Sequence, residues 1–154
     1  MEQDIKFMKY ALKEAKKAYL EGEVPIGCVI VEDGKIISRA HNMRMNKKDI
    51  FAHAEILALK KASKLKDSWI LDNLTIYVTV EPCSMCASSL LQSRIKRVVY
   101  GTSEPKFGSF GSILNLNDYK FNHHVELTKG VLQEECEKLM KDFFKEIRKN
   151  KNKQ

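Results

Sequence analysis

"LTIYVTVEPCSMCASSLLQSRIKRVVYG", residues 74–101, changes its pattern twice. The opening "LTIYVTV" is almost continuously apolar, the composition of a strand buried on both faces. "EPCSMCASSLLQS" then reads as a helix, with Pro82 near its first turn, where a missing amide hydrogen does no harm. "IKRVVYG" is strand-like again. Strand, helix and strand within about thirty residues form a βαβ unit, which predicts two parallel strands joined by a right-handed crossover.

Working outward, "IGCVIVEDGKIISRA" places two β-branched runs around Asp33-Gly34, a strong hairpin signal. Upstream, Ile5, Met8, Leu12, Ala15 and Tyr19 recur at steps of three and four, so about Glu2 to Leu20 reads as an amphipathic helix that Gly22 ends. A second helix opens at "FAHAEILALKK", Phe51 to Lys61, and continues with Ile56, Leu57 and Leu59 expected to face inward. Thr102 to Asn122 is loop-rich, with Gly108, Gly111 and Asn117-Asp118; "HVELT" reads as one more short strand. After Gly130, "VLQEECEKLMKDFFKEIRK" is a last amphipathic helix. The pattern is α/β: about five strands with helices on both faces.

The chain has 154 residues, the size of one domain, and a single folded unit over 1–154 is expected. Hydrophobic residues at 44% and charged ones at 31% fit a soluble globular protein. No apolar run approaches the roughly 20 residues needed to cross a bilayer, so no membrane partner is expected. "MEQDIKFMKY" lacks the uninterrupted apolar stretch of a secretory signal, which leaves the cytoplasm as the expected compartment. Basic residues number 27 against 20 acidic ones, a net +7 that suits a polyanionic partner and equally fits lysine-rich solubility. The basic helix end and tail at about 145–154 carry the same two readings, a solvated end or a set of phosphate contacts.

Of the four cysteines, only Cys83 and Cys86 form a close pair, which argues against a disulfide framework. Spaced i and i+3 at the start of a helix, they can chelate together. The other helix start carries His53 and Glu55, two residues apart, a spacing that lets both reach a shared partner only from the first turn. Two Cys and one His give a zinc ion three protein ligands and leave a fourth position open for water, the arrangement of a catalytic site. In this reading Glu55 binds no metal and instead moves protons for the activated water. A Cys-x-x-Cys alone also fits a redox pair or half of a four-ligand structural site; the joint placement of both motifs on two helix starts favours zinc catalysis. Cys28 and Cys136 read as core packing, His41 as a strand-end residue, and His123 and His124 as surface or interface residues.

"HAE" and "PCSMC" together match H-x-E…P-C-x-x-C, the signature already established for zinc nucleobase deaminases. With "EVPIGCVIV", "HN" at His41-Asn42, "SRIKRVVYG" and the terminal "DFF", the chain resembles the bacterial tRNA-specific adenosine deaminases over nearly its whole length. The resemblance implies a cytidine-deaminase-like fold, a three-layer α/β/α sandwich with a mixed five-stranded sheet. It implies conversion of the wobble adenosine of a tRNA anticodon arm to inosine, with His53, Cys83 and Cys86 holding Zn2+ and Glu55 shuttling the proton. Asn42 falls where the family contacts the target base, and its amide has the donor and acceptor to read a base edge. Val24 and the Ala54 backbone would line the pocket, and Glu104, Lys106 and Phe144 would approach the flanking nucleotides. The family works as a homodimer, with the "EPCSMC" helix and the loop after Gly101 as interface regions.

Three positions depart from the family pattern: Glu104 for an aspartate, Ile50 for a proline, and Cys28 for a small apolar residue. The rival within the superfamily is a free-base deaminase acting on guanine or cytosine, against which Ser84 argues mildly, since guanine deaminases carry proline there. A rival of another class is an RNA-binding module with a structural zinc. Glu55 separates the two classes, because a non-catalytic module has no use for an unliganded carboxylate beside the metal.

Overall fold

The computed structural model describes residues 1–152; Lys153 and Gln154 of the basic tail lie outside the described residues. In chain order the elements are α1 (Glu2–Leu20), β1 (Gly27–Glu32), β2 (Lys35–His41), the short α2 (Arg44–Lys47), α3 (Ala54–Lys66), β3 (Thr75–Val80), α4 (Ser84–Gln92), β4 (Arg97–Thr102), β5 (Glu126–Lys129) and α5 (Gln133–Asn152). A single 3-10 turn, Leu116–Asp118, interrupts the long loop between β4 and β5.

The hairpin forms where Asp33-Gly34 predicts it. Both residues have positive φ, 49° and 77°, the backbone that a type I′ turn demands and that matches the twist of β1 and β2. The sheet order is β2-β1-β3-β4-β5. β1 runs antiparallel to both β2 and β3, whereas β3, β4 and β5 are mutually parallel, so the sheet is mixed. The near-continuous apolar runs of β1, β3 and β4 are buried throughout, while the edge strands β2 and β5 are partly exposed. Burial on both faces follows from helices on both sides.

Alternation along the strands divides the core in two. Cys28, Ile30, Ile76, Val78, Val98 and Tyr100 point to the layer of α3 and α4, where they meet Ala54, Ala58, Ala62, Ala87 and Leu90. Val29, Val31, Tyr77 and Val99 point the other way, against Phe7, Met8, Ala11 and Leu12 of α1 and Cys136 of α5. The result is the expected three-layer sandwich. Its closest approach is at Gly27, where an added Cβ would lie 2.2 Å from the Ala15 nitrogen, so α1 packs backbone to backbone on the start of β1. No helix among the described residues is long and apolar enough to cross a membrane.

One local expectation needs correction. Ile56 does not face inward: the buried stripe of α3 is Ala54, Glu55, Ala58, Leu59 and Ala62, and Ile56 is half-exposed. Small alanines let the helix lie close on the sheet, and turning Ala54 and Glu55 inward at its first turn turns Ile56 outward. Pro82 lies near the first turn of α4 as expected, just before Cys83, which keeps an extended backbone and serves as the N-cap.

α1 is also pinned by charge. Asp4 accepts two hydrogen bonds from the Arg97 guanidinium, at 2.8 and 2.7 Å, and a third from the Tyr77 hydroxyl at 2.8 Å. The Arg97 hydrogen bonds hold the Asp4 carboxyl below its ordinary 3.8. A lowered folded-state pKa stabilises the fold above the unfolded value and loses that contribution as pH falls through the folded one. Asp4→Asn should therefore cost about 2 kcal/mol at pH 7, and the difference from the parent chain should shrink below pH 3.8. Urea unfolding at neutral and acidic pH measures both; an undiminished cost in acid would dissociate it from the ion pair.

Candidate active site

β2 and β3 both run antiparallel to the strand between them, β1, so their C-terminal ends lie at the same edge of the sheet. α3 follows β2 through a loop and α4 follows β3 directly, and both helices begin at that edge. Their N-caps are His53, with φ −75° and ψ 150°, and Cys83, with φ −70° and ψ 176°. N-caps are usually Ser, Thr, Asp or Asn, whose oxygen bonds the first free amides; neither His53 nor Cys83 does this. Their side chains are left to serve something else.

They meet each other. The His53 Nδ1 lies 3.7 Å from the Cys83 Sγ and 3.5 Å from the Cys86 Sγ. All three donor atoms lie within 4.8 Å of one another, forming a group able to hold a metal ion. A tetrahedral zinc ion, with bonds of about 2.3 Å to sulfur and about 2.0 Å to nitrogen, sets sulfur and nitrogen about 3.5 Å apart. The donor set and its spacing fit that ion. Cys83 is held low, to about 4, chiefly by a hydrogen bond from the Cys86 thiol and also by His53; Cys86 is pushed up by that same bond and by burial. A divalent cation placed between the two sulfurs would hold both as thiolates.

Glu55 follows His53 by two residues and is only 4% exposed. Burial, and then the negative Cys83, push its carboxyl up to about 7. It lines a cavity of about 80 Å³ together with Val24, Ile26, Asn42, Arg44, His53 and Ala54. Four of the expected residues, Val24, Asn42, Ala54 and Glu55, thus share a cavity with His53 of the group able to hold a metal ion. The Asn42 amide donates to the Val24 carbonyl at 3.3 Å and accepts from the Arg44 amide at 3.1 Å, which fixes its plane and leaves one N–H and one lone pair on it.

A MafB19-like deaminase family model matches residues 1–148. A tRNA-specific adenosine deaminase of Bacillus subtilis (strain 168) is 49% identical over 152 residues, covering 98% of this chain and 94% of the relative. The chain belongs to the tRNA-specific adenosine deaminase family. A tRNA-specific adenosine deaminase of Haemophilus influenzae is 47% identical over 150 residues, covering 96% of this chain and 87% of that relative. A solved structure from biochemical and structural studies of A-to-I editing by tRNA:A34 deaminases superposes with a TM-score of 0.83 at 36% identity, covering 86% of this chain and 97% of that one.

In this member of the tRNA-specific adenosine deaminase family, Glu104, Lys106 and Phe144 do not reach the small cavity. They line a separate groove of about 1060 Å³ between the loop after β4 and α5, with Lys141, Lys145, Arg148 and Lys151. Of the departing positions, Ile50 is exposed, Cys28 is buried in the core, and the Glu104 carboxylate accepts from the Lys106 amide at 2.8 Å. None of the three lines the small cavity. The other histidines are occupied elsewhere: His41 with Glu21 at 2.9 Å, His123 with the Ile95 carbonyl at 2.7 Å, and His124 with the Tyr119 carbonyl at 2.8 Å.

Two residues escaped the sequence reading. Glu23, fully buried, accepts from the Met45 and Asn46 amides at 3.0 and 2.7 Å and so caps α2 from a distant turn, fixing the loop that carries Asn42 and Arg44. Glu81, 2% exposed, accepts from the Glu104, Phe110 and Ser112 amides, each at 3.1 Å. Each stands next to a segment of the site, "EVP" or "EPC", as a carboxyl group without a basic partner among the described residues.

Cys83→Ser removes one of three donors. Purified protein should lose its stoichiometric zinc, with a lower Tm that the wild-type chain approaches on treatment with a chelator. Zinc content unchanged by the substitution would remove Cys83 from the donor set.

Proposed function

We propose that this chain, acting as one unit over residues 1–154, hydrolytically deaminates the wobble adenosine of a tRNA anticodon arm to inosine. His53, Cys83 and Cys86 would hold the zinc ion. The observation that carries the reading is a buried carboxylate, Glu55, lining the same cavity as a metal donor while remaining outside the donor group. Zinc with an open position supplies a Lewis acid that lowers the pKa of water toward neutrality. Glu55 takes the proton of the attacking water and returns it to the base, whose exocyclic amine leaves as ammonia. Burial of Glu55 keeps bulk water from competing for that proton.

Asn42 supports the adenosine assignment: its free N–H and lone pair offer the base edge one donor and one acceptor, on a plane fixed by Val24 and Arg44. An anticodon loop already exposes its bases, so moving one into the cavity costs less than opening a duplex. The groove supplies the rest of the RNA site. Lys106, Lys141, Lys145, Arg148 and Lys151 offer sequence-independent phosphate contacts, and Phe144, 41% exposed, a ring on which a flanking base can stack. The face of α4 supports a homodimer, because Trp69 and Phe121 stand about half-exposed beside it and line one cleft with Leu91 and Arg94. A second copy seated there would complete the RNA site.

The test is a deamination assay on zinc-loaded protein, offering an adenosine-containing anticodon stem-loop beside free guanine, cytosine and cytidine. Inosine in the RNA alone is expected; turnover of a free base alone would overturn the substrate. Glu55→Ala should keep its zinc and lose activity by about 10²- to 10⁴-fold. Wild-type rates in that variant would end the proton-transfer role.

A further inference from the structure

Glu81 is a buried carboxyl group with no cation against it among the described residues. Its Oε1 accepts from the Glu104 amide at 3.1 Å and from the Ser112 hydroxyl, and its Oε2 accepts from the Phe110 and Ser112 amides at 3.1 Å. Four donors, all from one loop, take the place of water around one carboxylate. Glycine at position 108 is required by that closeness, since an added Cβ would lie 2.4 Å from the Glu81 Cδ and 2.5 Å from the Glu104 carbonyl oxygen. The loop is tied to the metal-ligand segment a second time. Gly108 pairs with Cys83 as an isolated β-bridge, and the Ser109 amide donates to the Pro82 carbonyl at 3.0 Å.

The anchored loop carries Glu104 and Lys106 on the rim of the basic groove, while its own turn is closed around a charge next to Cys83. Elsewhere the loop is held by buried Phe110 in the core and by the Asn117 side chain, which bonds both backbone groups of Val125 at 2.9 and 3.1 Å, but these contacts lie beyond the Glu104–Lys106 end. We propose that Glu81 is a positioning residue that sets the distance between the metal-ligand helix and the groove, and thereby the recognition of nucleotides flanking the reacting base. This rests on the tRNA deaminase reading above. Cys83 itself is held independently, its carbonyl accepting from the Ala87 amide at 2.8 Å within the first turn of α4, so loosening the loop leaves the donor group in place. The effect falls on binding of the flanks more than on the chemical step.

Glu81→Gln keeps the shape but turns an N–H₂ toward backbone donors. The expected result on an anticodon stem-loop is zinc retained, kcat within about threefold of wild type, KM raised about tenfold, and preference among flanking nucleotides weakened about tenfold. Hydrogen exchange without RNA should show the Glu104, Phe110 and Ser112 amides losing protection while Ala87 keeps it. Unchanged KM and flank preference would overturn the proposal, as would a fall in kcat accompanied by zinc loss, which would make Glu81 a support of the metal site alone. Should the variant fail to fold, Ser112→Ala removes one exposed donor and leaves the carboxylate; KM should rise in the same direction by about threefold, and no change overturns the idea. If the wild-type protein turns over no RNA while exchange behaves as expected, the substrate reading falls and the recognition role falls with it, though the clamp stands.

Discussion

The site depends on two helices starting at one point. Because β1 runs antiparallel to both of its neighbours, β2 and β3 finish at the same edge, separated by one strand, or about 10 Å. That shared edge brings the His53 ring, ahead of α3, within 3.5 Å of the Cys86 sulfur in the first turn of α4. The segment leading into β1 fills the gap between them, and its Val24 and Ile26 become the cavity wall. β4 is parallel to β3 and ends at that edge too, which is why the groove lies beside the His53, Cys83 and Cys86 group and not on the far side of the sheet. The C-terminal ends of the parallel strands are where open α/β sheets bind their ligands.

Each N-cap also involves a local compromise. A capping side chain stabilises a helix by about 1 kcal/mol, and α3 and α4 both forgo it so that His53 and Cys83 can face each other. The fold tolerates this because α3 and α4 are buried against β1 and β3, with alanines at the contact. A bound cation would then do for both helices what a capping oxygen does for one.

Much of this was legible in the chain. The hairpin at Asp33-Gly34, the strands flanking α4 and the His53, Cys83 and Cys86 group carry signals within a few residues of themselves, whereas Asn42, Val24 and Ala54 were reached only through the family resemblance. What the sequence concealed is long-range. Ile56 reads as a core residue because it outweighs Ala54 and Ala58 on any hydrophobic scale, although the alanines make the closer packing; Leu57 and Leu59 do pack on the core. Glu23 and Glu81 resemble surface charges, since their partners are backbone amides 22 to 31 residues away, and amides are invisible to composition. The separation of the base cavity from the groove was equally hidden, because Phe144 approaches Glu104 and Lys106 only once α5 has packed on β4.

The pinning of α1 bears on how the protein is made. Asp4 waits for Arg97, 93 residues later in the chain, and for Tyr77, 73 residues later. At a ribosomal pace of roughly 5 to 20 residues per second, α1 spends roughly 5 to 20 seconds without its partner. Its apolar stripe of Phe7, Met8 and Leu12 has no strand of β3 or β4 to cover during that time. A nascent chain of this design can lay its first helix on β1 alone, and the rest of that stripe stays uncovered until more than half of the protein has been synthesised.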